Sequence, residues 1–204
     1  MSSETLVETI QRGEYTVEIH VDQDPINPRE YDSDISGMVC THTRASLGDE
    51  KARAELITYL QSAGDLDFDD DVHPTAEQLA KRAGCTVLPL YLYEHGAMTM
   101  ATTPFSCPFD SGRIGYIYMT KETAKEQELQ GREVEVLKAQ VDDYAKYLEG
   151  SVYGYVVLDK VGFDVDSCWG FLGNCHKVSG LMEAVDSFLE TAPMQLPLDL
   201  GEPK

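Results

Sequence analysis

Val134, Leu137, Val141, Tyr144 and Leu148 recur at steps of 3, 4, 3 and 4. That spacing lines five apolar side chains along one stripe of an α-helix, and Gly150 stands where such a helix stops. A one-sided helix over 133–149 needs an apolar surface to cover, and strand-like segments elsewhere supply it. Glu14 to Val21 alternates polar and apolar, as a half-buried strand does. Gly37–His42, Cys85–Tyr93, Met98–Thr103, Arg113–Met119 and Val152–Leu158 also read as strands, and a strand or turn is expected around Trp169. Glu94 to Ala97 fits a hairpin turn, and Pro89 suits an edge position or a bulge.

Helix signals punctuate these strands. Asp49 fits the cap of a helix over Glu50–Leu60, with Leu56, Tyr59 and Leu60 inward. Thr75 and Gln78 fit a capping box, with Gly84 as the stop. Thr120 caps another helix, and Ser179 opens a last one that turns Leu181, Val185, Phe188 and Leu189 inward. Residues 1–12 read as a loose arm or short helix, 22–36 and 64–72 as polar loops. Strands come in groups without regular βαβ alternation, and no repeat recurs. The expectation is one α+β domain over 1–191, a mainly antiparallel sheet packed by helices, with a flexible tail at 192–204.

Charge narrows the function. Of 204 residues, 36 are Asp or Glu against 16 Lys or Arg, a net charge of −20. Direct binding to nucleic acid or anionic lipid needs a basic face, which this composition does not offer. Apolar residues at 42% are too many for a disordered polyanion. No apolar run approaches the ~18 residues of a membrane span, and the first residues lack the basic and apolar regions of a secretory leader. Five cysteines at irregular spacing read as free thiols in a reducing cytoplasm.

The acidity is concentrated in two loops. One holds Asp22, Asp24, Glu30, Asp32 and Asp34; the other holds Asp65, Asp67, Asp69, Asp70 and Asp71. Crowded like charge opposes a compact state, so some compensation is expected. A solvated or salt-adapted surface is one explanation. Calcium is a second, since Asp65, Asp67 and Asp69 match the first three ligand positions of a helix–loop–helix site. However, Asp70 stands where the glycine belongs and Ala76 where the bidentate glutamate belongs. Imitation of nucleic-acid phosphate is the third. A duplex carries one charge per ~1.7 Å, whereas five carboxylates along ~23 Å of extended chain give one per ~5 Å. Two loops, or two subunits, must therefore combine their charge.

Candidate chemistry lies in Cys-, Asp- and aromatic-rich stretches. A thiol nucleophile needs a neighbouring imidazole, and Cys107 or Cys168 would have to meet His42, His95 or His176. An alternative pocket drawn from the Cys107–Gly112 and Asp166–Gly173 segments comprises His42, His95, Cys107, Asp110, Asp166, Cys168 and Trp169. Zinc would need four ligands, and Cys40-x-His42 with Cys168-x6-Cys175-His176 has no Cys-x2-Cys pair. No phosphate loop, dinucleotide fingerprint or serine elbow is present, so no metal or cofactor is expected.

Met38-Val39-Cys40-Thr41-His42, Thr103 to Gly112 and Asp166 to Gly173, together with Leu88–His95 and Val152–Val157, resemble a group of uncharacterised acidic proteins of bacteriophages and mobile elements. The resemblance spans about residues 13–175 and implies a setting of conflict with host defences, with no catalytic residues to carry over. With the charge, it leads to a non-catalytic binding protein that occupies the basic groove of a host nucleic-acid-binding defence protein, such as a restriction or CRISPR component. The enzyme or small-ligand binder is the rival. The helix over 133–149 admits a homodimer surface, but its stripe is no wider than packing on the sheet requires.

Overall fold

A computed structural model describes residues 5–32, 35–42, 45–62 and 75–191. Among these are eight strands in two antiparallel four-stranded sheets and six helices, an α+β fold. The chain divides into two compact units, residues 1–23 with 152–204, and residues 24–151. No described helix is long and apolar enough to cross a membrane.

The first unit is a sheet ordered β1 (Leu6–Arg12), β2 (Tyr15–Val21), β7 (Val152–Leu158), β8 (Asp164–Leu172). The segment expected to be a loose arm or helix is thus a strand. Gly13, at φ 63°, turns the chain so that Ile10 pairs with Val17 and Arg12 with Tyr15. Pairing with a strongly alternating neighbour outweighs the weak helical signal of a segment this short. Val17, Ile19, Tyr155 and Val157 share one face and pack on Leu181 and Val185 of α6 (Leu181–Thr191).

The second unit is a sheet ordered β3 (Gly37–Cys40), β6 (Ser111–Met119), β4 (Thr86–His95), β5 (Ala97–Ala101). Alternation along β6 sends Ile117 and Met119 to one face and Tyr116 and Tyr118 to the other. The first face packs on Leu137, Val141 and Tyr144 of α5 (Glu133–Leu148). The second packs on Leu56 and Leu60 of α2 (Ala52–Ser62) and Leu79 of α3 (Ala76–Arg82). Burial on both faces explains why β6 carries a near-continuous apolar run. Val134, read as part of the stripe of α5, is instead 45% exposed, and Val136 packs against the core from the same turn.

Pro89 pairs with Tyr116 on one side only, because β5 does not reach it and begins to pair at Tyr91. The missing N–H therefore falls on a local edge, as Pro requires. The capping box of Thr75 and Gln78 forms, and Thr120 caps α4 (Lys121–Glu126). Asp49 does not cap α2 with its side chain. Its carboxylate takes Arg29 Nε and Nη2 at 2.9 and 2.8 Å and the Met38 N–H at 2.7 Å. Arg29, in the short helix α1 (Arg29–Asp32) of what read as a polar loop, is 4% exposed. A guanidinium so deeply buried binds a bidentate carboxylate in preference to solvent. Its Nη2 also donates to Ser36 O at 2.8 Å, and Gln140 of α5 completes the network.

Candidate functional site

At one end of the second unit's sheet, the β4–β6 ladder shifts register. Leu90 faces Gly115 and Tyr91 faces Arg113, so Ile114 has no β4 partner. Its carbonyl instead accepts the Thr41 N–H at 2.7 Å and the Thr41 hydroxyl at 2.9 Å. The bulge thereby anchors the chain leaving β3 and sets the position of His42.

His42, Glu94, Phe109, Asp110, Ser111 and Gly112 wall a cleft of about 390 Å³ over Leu92 and Ile114. No residue of α5 lines it, and Leu92 and Ile114 beneath it are buried, 4% and 8% exposed. The loop before β6 is braced at its base. Glu94 N–H donates to Asp110 O at 2.8 Å, the Ser111 hydroxyl donates to Cys107 O, and Tyr93 packs on Phe105 with ring centres 5.6 Å apart. Phe109, on the same loop, is 95% exposed.

The protonation pattern follows from the bonds. Ala45 N–H donates to His42 Nδ1 at 3.1 Å, so Nδ1 carries the lone pair and the ring proton sits on Nε2. That proton faces Glu94 Oε2, 3.5 Å away. The Cys107 thiol donates to Asp110 Oδ2 at 3.3 Å, and the same oxygen lies 3.4 Å from His95 Nδ1. A thiol nucleophile needs an imidazole to take its proton; here a carboxylate oxygen holds it.

The structure thus brings His42, His95, Cys107 and Asp110 together. Asp166, Cys168 and Trp169 belong to β8, in the other unit. Asp166 accepts the Tyr155 hydroxyl at 2.8 Å. Burial, then Asp166, raise the Tyr155 pKa above the ordinary phenol range. Trp169 lies over Gly154, where a Cβ would overlap its ring, and its ring centre is 6.1 Å from that of His20. Trp169 therefore fills a gap that the glycine leaves, and the cysteine beside it is exposed.

Of the acidic residues expected to bind a partner, Asp22 follows β2 and gives its N–H to Val152 O at 2.8 Å, whereas Asp24 is exposed in the other unit. Asp32 ends α1. Asp34, Asp65, Asp67, Asp69, Asp70 and Asp71 lie outside the described residues, as does the tail at 192–204. Among the described residues, no group of three His, Cys, Asp or Glu side chains is placed to hold a metal ion.

Glu94 and Phe109 were not singled out in the sequence. Phe109 carries a signal there, since an aromatic between Pro108 and Asp110 in a turn-rich loop has no strand or helix face to bury it. Glu94 sits in an ordinary hairpin and carries none.

Comparison with protein-family models, with curated proteins and with solved structures finds no match to this chain.

Proposed function

We propose that this chain is a non-catalytic acidic binding protein whose partner is basic, in the manner of a mobile-element protein that occupies the nucleic-acid groove of a host defence protein. The observation that carries this reading is the excess of acid over base in both units. Arg12, Arg29, Lys81, Arg113, Arg132, Lys146 and Lys177 each pair with a carboxylate of the chain itself. The surplus left for a partner is anionic in both units. Residues 24–151 hold 23 acidic against 12 basic side chains, a net of −11, and the remainder holds 13 against 4, a net of −9. Such a surface draws a cationic protein at a rate and strength that fall as salt screens it. The carboxylate-held thiol of Cys107 favours binding over catalysis.

The test is displacement. A labelled duplex is bound to a purified restriction or CRISPR effector, and fluorescence anisotropy is followed as this protein is added. Release at low salt, lost progressively through physiological ionic strength, supports the reading. Retention of the duplex at low salt with excess protein overturns it.

The convergence of His42, Glu94, Asp110 and Phe109 on one cleft favours a second reading, a small-ligand binder. A screen of small cations by ligand-observed NMR distinguishes the two.

A further inference from the structure

The cleft has a donor–acceptor inventory that specifies its ligand. Its lining side chains own only two polar protons, on His42 Nε2 and Ser111 Oγ. The first faces Glu94 and the second is donated to Cys107 O. What these side chains offer a ligand is therefore acceptors, chiefly the Ser111 oxygen and the Asp110 carboxylate. Both contacts of Asp110 among the described residues fall on Oδ2, so Oδ1 takes no bond from them. Below lie Leu92 and Ile114, and at the rim stands the exposed ring of Phe109. At Gly112 a Cβ would meet nothing within 4 Å, so the wall leaves space there.

Acceptors beside an exposed aromatic ring suit a planar cation, and a volume near the lower end of ligand pockets suits a side chain more than a cofactor. We infer that this cleft takes the guanidinium of an arginine side chain presented by the basic partner. Guanidinium matches the walls: its planar N–H groups reach Asp110 Oδ1 and Ser111 Oγ, and its face stacks on Phe109. Lysine offers the charge without the plane. The inference rests on the acidic-binding reading and names the point of contact for it.

The probe is an octa-arginine peptide at low salt, with the citrulline octamer, equal in shape and uncharged, as control. Binding is measured by calorimetry, and contacts are mapped from backbone amide shifts. Gly112→Val adds bulk at the wall without a backbone penalty, and Phe109→Ala removes only an exposed ring. The arginine peptide should shift amides at 92–94 and 109–114, and Gly112→Val should weaken binding about tenfold. Phe109→Ala should weaken it about threefold, the size of one exposed cation–π contact. If Gly112→Val lowers the melting temperature, Phe109→Ala and the amide map decide. Unchanged affinity in Phe109→Ala with shifts elsewhere overturns the cleft while leaving the acidic-partner reading intact. No binding to the wild-type chain at low salt overturns both.

Discussion

The Cys107 thiol donates a hydrogen bond to Asp110 Oδ2 at 3.3 Å, and His95 Nδ1 lies 3.4 Å from the same oxygen. The carboxylate thus lies against both thiol and imidazole, an arrangement that ties the loop before β6 to the end of β4. Cys107→Ser keeps a donor at that place and should stay within about 0.5 kcal/mol of wild type. Cys107→Val, which has none, should lose about 1 kcal/mol. Chemical denaturation compares them, and an equal loss in both would show that packing, not the hydrogen bond, holds the loop.

Arg29 and Asp49 form the buried pair around which α1, β3 and α5 meet. Asp49→Ala strands a guanidinium away from water and should cost about 3–5 kcal/mol. Replacing both partners with apolar residues of similar size should recover much of that loss. A double-mutant cycle by urea unfolding measures the coupling, and additive losses would place the pair's role elsewhere.

Trp169 is the only tryptophan, so its emission reports one site. Gly154→Ala should push the ring off the sheet, shift its fluorescence to the red, and destabilise the first unit by about 1–3 kcal/mol through overpacking. Gly96→Ala, in the other unit at φ 78°, strains its own turn but should leave the emission unchanged.

Stability should fall at alkaline pH. Burial, and then the negative charge of Asp49, push the Cys40 thiol up to about 12 from its ordinary 9.0. Burial likewise raises the Tyr118 phenol, whose hydroxyl donates to Ala52 O at 2.8 Å. In this range the folded state keeps protons that the unfolded chain has lost, so unfolding becomes easier as pH rises. The contribution is whole below about pH 9 and drains away through 12. Melting temperature against pH, followed with tyrosinate absorbance, should show ionisation and unfolding together. Ionisation well before unfolding would contradict this.

Much of the architecture is local and could be read from spacing. The stripe of α5, the Thr75–Gln78 box and the alternation of β2 each express a period of one element, which neighbouring residues set by themselves. β1 was not legible in this way. Its own pattern is weak, and its state depends on a partner strand that the Gly13 turn brings alongside.

The candidate site was half legible. His42, His95, Cys107 and Asp110 stand out by residue type, and the structure does gather them. Cys168 and Trp169 stand out equally, yet they lie in the other unit, because residue type says nothing about which distant segment a strand will pair with. Glu94 gave no signal at all.

By itself, then, the sequence determined the charge, the α+β class and the caps at Thr75 and Thr120, since composition and periodicity are properties of the chain before it folds. Only the tertiary structure decided the cleft. His42 reaches it because a bulge leaves the Ile114 carbonyl without a β4 partner and Thr41, 73 positions away, takes it. A register shift of one residue between two strands is a balance of many long-range contacts, and no local pattern records its outcome.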